Sequence, residues 1–201
     1  MTSEDKKYVK EVIDHFVDLY KLSLKPYYKA YQIWFEKGMT SEIVVDFLKE
    51  ISIPANIRIK KVSEIPTPSE PNLHTLGRIH LVEENGRPIL FNSQSFRNHR
   101  FLIEIHEDCY KSFPVFITVL IHELAHLVLY STHNRYHKSE VATDLFVICF
   151  GLFEHVESGG ADNYITKEQV EFAKEYIRLK RQYTSASKLG KVILNLRIRV
   201  L

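Results

Sequence analysis

The chain has 201 residues, of which 45% are hydrophobic, and this is enough for one domain with a well-buried core. Its formal net charge of +2 gives no indication of a dedicated nucleic-acid or membrane binder. No window offers the roughly 18 uninterrupted apolar residues that a membrane-spanning helix needs. The two cysteines, Cys109 and Cys149, form no CxxC pair, and the charged start of the chain does not resemble a signal peptide. We therefore predict a cytoplasmic protein that binds no membrane and has nucleic acid as an unlikely partner.

The first part of the chain has a helical pattern. Apolar residues at helical spacing predict helices over residues 4–21, 26–37 and 42–51. Residues 57–62 then alternate between apolar and polar, which is typical of a strand. The sequence therefore predicts three helices before the first strand.

Short strands dominate the middle of the chain. Residues 79–82 and 88–91 predict a hairpin around a turn at Asn85-Gly86, and residues 101–106 predict a further strand. Three more helices and a terminal strand are predicted over residues 116–130, 139–153, 166–183 and 192–201.

These elements together indicate an α+β fold in which helices come first, a small mixed sheet follows, and helices return. We predict a single domain over residues 1–201. A helical N-terminal segment, residues 1–56, precedes a core formed by residues 57–201.

The segment His122-Glu123-Leu124-Ala125-His126 carries the chemistry. Its two histidines are four residues apart, so on a helix both imidazoles emerge from one face and can share one Zn²⁺. Glu123 would lie beside the metal, where it can accept a proton from a zinc-bound water and later pass it to a leaving amine. The pattern predicts zinc as cofactor and Glu123 as general base.

An amphipathic helix with two partly exposed histidines and a solvated glutamate would contain the same five residues. The flanks of the segment, residues 116–121 and 127–129, are strongly apolar, which indicates a mostly buried helix. Polar groups within a buried helix need partners, and a metal ion supplies them. This favours the metal site over the solvated helix.

Two histidines leave a catalytic zinc one protein ligand short. Zinc enzymes with a third histidine close by usually have a glycine three residues after the second histidine and the ligand at six. These positions hold Leu129 and Thr132 here, and His133 comes one residue late. The arrangement with a nearby histidine ligand is therefore excluded.

Glu140 is a better third ligand, at the start of the next predicted helix and just after a possible cap at Ser139. A loop over residues 131–138 lets this helix return antiparallel to the first. Asp144, one turn further, faces the same way and can accept a hydrogen bond from the distal nitrogen of a zinc-bound histidine. The alternative is an ordinary exposed pair of acids four residues apart.

These residues resemble the gluzincin branch of the zincin metallopeptidases, in which HExxH is followed by a pattern matched here by Glu140-xxx-Asp144. The resemblance implies a minimal zincin-like domain in which His122, His126 and Glu140 bind zinc. It implies that Glu123 is the general base and that Asp144 is the hydrogen-bond partner of a zinc ligand.

The resemblance covers about residues 115–175 and is closest to short bacterial proteins of this type. Its spacer of 14 residues between His126 and Glu140 is shorter than in large gluzincins. The resemblance also implies that the strand over residues 101–106 lies along the cleft as an edge, to which an extended peptide substrate can pair.

Peptide hydrolysis also needs a hydrogen-bond donor for the tetrahedral oxyanion. Tyr136, His137, His155 and Tyr164 are candidates, and a structural role is the alternative for each.

Three functions follow from these patterns. The first is a zinc metalloendopeptidase that hydrolyses peptide bonds, with a peptide or protein as substrate. The second is a non-catalytic adaptor or regulatory domain that the same zinc ligands stabilise. The third is a nucleic-acid-associated protein that uses the charges after Glu175, all of them basic, over residues 178–199.

Overall fold

A computed structural model describes residues 1–20, 28–65, 76–151 and 164–185. Within these ranges the chain forms seven α-helices, one short 3₁₀ helix and five strands, which confirms the predicted α+β class. The helices are α1 (Ser3–Tyr20), α2 (Tyr28–Glu36), α3 (Thr40–Glu50), α4 (Gln94–Asn98), α5 (Phe113–Ser131), α6 (Glu140–Cys149) and α7 (Lys167–Ser185). The predicted terminal strand lies outside the described residues.

The strands form two small sheets. They are β1 (Asn56–Val62), β2 (Gly77–Ile79), β3 (Glu83–Glu84), β4 (Arg87–Pro88) and β5 (Arg100–His106). The larger sheet has the order β1-β5-β2, with β1 parallel and β2 antiparallel to β5, so it is mixed as predicted. The edge position expected for residues 101–106 is wrong, because β5 is the central strand with a partner on each side. The edge strand in contact with α5 is β2.

The predicted turn at Asn85-Gly86 is confirmed. Both residues have positive φ, 55° and 71°, which is the pair of left-handed conformations that a two-residue type I′ hairpin requires. The predicted strand positions, residues 79–82 and 88–91, are wrong: the strands that pair across the turn are β3 and β4, next to it and apart from the larger sheet. Ile79 instead ends β2, which pairs with β5. Pro88 lies opposite Glu83, and beyond this pair the Ile89 N–H donates a 3.4 Å hydrogen bond to the Val82 carbonyl.

Helix α5 is the central helix of the core. By length and composition this 19-residue helix could cross a membrane, but 67% of its most apolar window is buried inside the protein. It packs against α6, β2 and β5. Its apolar character is therefore explained by its burial in the core. The cysteines Cys109 and Cys149 are buried free thiols.

Helix α1 fixes the loop that joins α5 to α6. The hydroxyl groups of Tyr8 and Ser139 share a hydrogen bond of 2.7 Å. The ring of Tyr136 packs edge-on against Tyr8 and Phe16, with centroids 6.0 and 6.1 Å apart. Ser139 also caps α6, because its Oγ accepts a hydrogen bond from the backbone N–H of Ala142. The start of α6 is thus held by a predicted cap and by the N-terminal helix.

Phe146 of α6 is a fully buried side chain in the hydrophobic core. Its ring contacts Phe16 of α1 and Phe150, with centroids 5.2 and 5.1 Å apart. We expect Phe146→Ala to lower the free energy of unfolding by about 3–5 kcal/mol, because the lost burial leaves a cavity. Urea denaturation measures this. Val45→Ala on α3 is the control, since Val45 is 60% exposed and its truncation should cost less than about 0.5 kcal/mol. Equal losses in the two variants would contradict the placement of Phe146.

Candidate metal centre

The two histidines of the motif meet on one face of α5, as the spacing predicted. Their ring centroids are 4.8 Å apart, and the Nε2 atoms of His122 and His126 are 3.1 Å apart. Each side chain is partly buried, with 17% and 19% of its surface exposed. One nitrogen of each imidazole therefore points at the same place.

Helix α6 brings Glu140 to this place. Its Oε2 lies 3.3 Å from Nε2 of His122 and 3.2 Å from Nε2 of His126. Ligand atoms at about 2.0–2.1 Å from a tetrahedral Zn²⁺ are about 3.3–3.4 Å from one another. The triangle of 3.1, 3.2 and 3.3 Å is therefore close to one face of a zinc tetrahedron. Two imidazoles and one carboxylate are also a ligand set that zinc accepts, so these residues fit the metal.

The charges of this cluster match a cation site. Burial raises the pKa of the Glu140 carboxyl, but hydrogen bonds to the two imidazoles outweigh it and hold this pKa at about 2. Burial lowers the pKa of His122, but its hydrogen bonds to Asp144 and Glu140 outweigh it and raise this pKa to about 10. A proton therefore binds where a metal ion would bind. Metal binding displaces this proton, so metal affinity should increase with pH.

Asp144 fixes the orientation of His122. Its Oδ1 accepts a hydrogen bond of 2.9 Å from Nδ1 of His122, and the residue is only 3% exposed. Its Oδ2 accepts hydrogen bonds from the backbone N–H groups of Tyr164 and Ile165, at 3.0 and 3.2 Å. With its Nδ1 protonated and the proton of Nε2 displaced, His122 would present the lone pair of Nε2 to a metal ion. The predicted hydrogen bond between Asp144 and a histidine of the motif is therefore present.

We expect Asp144→Asn to weaken zinc binding about 10- to 100-fold. If the asparagine NH₂ faces Nδ1 of His122, it favours the tautomer protonated on Nε2, which cannot bind a metal through that atom. If the NH₂ faces residues 164–165 instead, it meets two backbone N–H donors and cannot accept their hydrogen bonds. Competition with a chromophoric chelator measures the affinity. Asp108→Asn is the matched control, because Asp108 lies at the surface and pairs with Lys111. Equal zinc affinity of both variants would remove Asp144 from the site.

Glu123 lies next to the cluster, between α5 and the edge strand. Its side chain is buried, with 7% of the residue exposed, and its Oε2 accepts a 2.7 Å hydrogen bond from the backbone N–H of Ile79. Burial raises the pKa of Glu123 above its ordinary value, and the two neighbouring imidazoles lower it. The carboxylate is thus held in one position beside the ligand atoms without being one of them.

Two residues of β2, Gly77 and Ile79, were missed by the sequence analysis. A Cβ added to Gly77 would lie 2.9 Å from Oε1 of Glu123 and 2.5 Å from Cγ1 of Val119. Only glycine therefore lets β2 approach α5 closely enough for Ile79 to reach Glu123. The sequence signal was a glycine at the start of a strand after a proline-rich loop, and this does not reveal its partner.

The candidates for the oxyanion donor lie in different surroundings in the structure. The ring of Tyr164 lies nearly parallel to His122 at 6.5 Å between centroids, and Tyr164 is 52% exposed. Nδ1 of His137 donates a 2.8 Å hydrogen bond to the backbone carbonyl of Asn134, and Tyr136 packs on α1. His155 lies outside the described residues. Among these four candidates within the described ranges, Tyr164 is the one placed against a ligand.

A group of three candidate metal ligands is present in the described part of the chain, and it consists of His122, His126 and Glu140. Comparison of the chain with protein-family models, curated proteins and solved structures finds no match. The assignment of this site therefore depends on its geometry, which places two histidines and a glutamate close enough to bind a metal ion.

Proposed function

We propose that this protein is a zinc-dependent metalloendopeptidase of the gluzincin type. The observation that carries the proposal is the triangle of Nε2 of His122, Nε2 of His126 and Oε2 of Glu140, with edges of 3.1–3.3 Å. When bound there, zinc lowers the pKa of a water molecule towards about 7 and polarises a peptide carbonyl. The cofactor is zinc, since this ligand set suits it.

Glu123 supplies the acid–base chemistry in this proposal. It accepts the proton of the attacking water and passes it to the leaving amine. The hydrogen bond from Ile79 N–H occupies Oε2 and leaves Oε1 for the water. The elevated pKa caused by burial makes this carboxylate a better base than an exposed glutamate.

The substrate in this proposal is an extended peptide that lies along β2. The backbone groups of Arg78 and His80 face β5. Arg78 is the register partner of Glu104, and the His80 N–H donates to the Leu102 carbonyl. The backbone groups of Gly77 and Ile79 consequently point away from β5, to the edge of β2 that has no strand partner in the described part of the chain. Because the Ile79 N–H donates to Glu123, the groups proposed to pair with a substrate are those of Gly77 and the Ile79 carbonyl. An extended chain pairs with such an edge through main-chain hydrogen bonds. Tyr164 is the proposed donor to the oxyanion on the other side of His122.

The adaptor alternative requires a closed metal site. Structural zinc sites have four protein ligands, whereas catalytic sites keep one position for water. The candidate ligand group has three members within the described ranges. This supports the catalytic function over the structural one.

The nucleic-acid alternative based on the basic C-terminal residues is weaker. Arg178 pairs with Glu175 at 2.6 Å and Lys180 pairs with Asp14 at 2.7 Å, so part of this charge is neutralised. Residues 186–201 lie outside the described part. We further propose the cytoplasm as the compartment of the enzyme.

The proposal is tested with a complex peptide library. The zinc-loaded full chain is incubated with proteome-derived peptides, and mass spectrometry identifies new termini. We expect cleavage products that disappear with a zinc chelator and return when zinc is restored. A protein that binds zinc but generates no new termini from the library would contradict the peptidase proposal.

A further inference from the structure

The sheet has a second face that the proposed active site does not use. Phe101, Ile103 and Ile105 of β5 are buried on the side of the helices. Alternate residues of a strand point to opposite faces, so the residues between them lie on the other face. The register of β1 and β2 against β5 places their alternate residues on this same side. We call this side the outer face.

Positive charge is concentrated on the outer face. The outward charged residues of the three strands are Arg58 and Lys60 of β1, Arg78 of β2, and Arg100 and Glu104 of β5, so these strand residues include four basic side chains and one carboxylate. Four positive charges and one negative charge give a net +3, which exceeds the +2 of the whole chain. The rest of the protein is therefore slightly negative, and the small total charge conceals a basic surface.

Glu104, the one acid among the outward residues of the three described strands, is paired with neighbouring basic side chains and so repels an anionic partner little. Oε1 of Glu104 lies 2.9 Å from Nζ of Lys60, and its Oε2 lies 3.0 Å from Nε2 of His80. Hydrogen bonds from these two residues lower the pKa of Glu104, whose side chain is 14% exposed. The carboxylate is thus screened within the face, while Arg58 and Arg100 are exposed.

The two exposed arginines are neighbours. Asn56 is the register partner of Arg100, and Arg58 follows two residues later on the same face. Strands rise about 3.3 Å per residue and lie about 4.8 Å apart. The Cα atoms of Arg58 and Arg100, two residues along and one strand across, are therefore about 8 Å apart. Guanidinium groups so placed can each bind a different phosphate of one backbone, in bidentate geometry.

The composition of the outer face favours one class of partner. Protein interfaces have an apolar and aromatic centre, but the outward residues of these three strands include no Phe, Tyr or Trp. Single-stranded nucleic acids need aromatic platforms for their bases. Protein–DNA interfaces are more polar and much more positive than protein–protein interfaces. We propose that the outer face binds the phosphate backbone of duplex nucleic acid, without sequence preference.

The test measures binding of a fluorescently labelled 24-base-pair DNA duplex to the full chain by anisotropy, at salt concentrations from about 50 to 200 mM. The variant Arg58→Glu with Arg100→Glu removes two proposed phosphate contacts. The matched control, Lys7→Glu with Lys29→Glu, changes exposed residues of α1 and α2 and has the same net charge, −2 instead of +2. Circular dichroism and zinc content verify that both variants are folded. If the face variant is unfolded, Arg58→Gln with Arg100→Gln replaces it.

We expect the face variant to bind the duplex at least 10-fold more weakly than the wild type, and the control to change by less than about 3-fold. The slope of log affinity against log salt should fall in magnitude by about 2, because two phosphate contacts are lost. Absence of duplex binding by the wild type at 50 mM salt would overturn the proposal. Equal losses in the two variants would also overturn it, and so would tighter binding of a poly-glutamate peptide than of the duplex. The result is independent of peptidase activity.

Discussion

Replacement of Glu123 by Gln is expected to reduce peptide hydrolysis at least about 10³-fold and to leave zinc bound. General acid–base catalysis contributes about 10²–10⁴-fold to enzyme rates, and an amide cannot accept the proton. Glutamine has nearly the same shape, so its carbonyl can keep the hydrogen bond from Ile79 N–H. The measurement is the rate of cleavage of a peptide from the library, together with the zinc content of the variant.

The control for this variant is Glu50→Gln, which removes an exposed carboxylate from the end of α3. It should leave both activity and zinc content unchanged. Full activity of Glu123→Gln would show that the buried carboxylate is not the base. Loss of zinc together with activity would mean that the carboxylate shapes the metal site.

The second large effect is expected from Glu140→Ala, which removes one of the three ligand atoms. Loss of a ligand's hydrogen-bond partner lowers metal affinity about 10- to 100-fold. We expect the loss of a ligand itself to lower zinc affinity by more than this. Zinc should therefore be lost during dialysis, whereas the wild type retains about one equivalent. Elemental analysis after dialysis and competition with a chelator measure both quantities.

Glu171→Ala is the control for Glu140→Ala, because Glu171 is an exposed residue of α7 paired with Lys174. It should retain zinc. Glu140 also begins α6, so circular dichroism of the metal-free proteins separates loss of a ligand from loss of the helix. Unchanged zinc stoichiometry and affinity in Glu140→Ala would remove this residue from the site.

Local sequence patterns predicted that His122, His126 and Glu140 lie close together, because their arrangement depends on short separations along the chain. The spacing of His122 and His126 is a property of any α-helix. Glu140 follows a short loop and a serine cap, so an antiparallel return of α6 was the simple expectation. The cap at Ser139 and the hydrogen bond from His122 to Asp144 agree with that expectation.

The environment of Glu123 could not be predicted in the same way. It depends on the packing of β2 against α5, which joins residues 44 positions apart in the chain. The position of β5 was wrong for the same reason, since its two partners come from segments that precede it and pair with opposite sides. A strand pattern shows which face is buried, but it does not show which strands are its neighbours.

The motif also could not predict that α1 supports the start of α6. Its apolar spacing predicted a helix, but not that Tyr8 would bond to the residue that caps α6. The N-terminal helix therefore supports the third ligand, although the motif contains none of its residues. Contacts of this kind depend on tertiary packing, which helical periodicity alone does not specify.

The most direct test of the metal site is X-ray absorption at the zinc edge of the zinc-loaded protein. We predict four nitrogen or oxygen ligands at about 2.0–2.1 Å, with two imidazoles, one carboxylate and one exchangeable water. In Glu140→Ala the carboxylate contribution should be lost. A sulfur ligand, four ligands from the protein, or failure of the wild type to bind zinc would contradict an open His122–His126–Glu140 site.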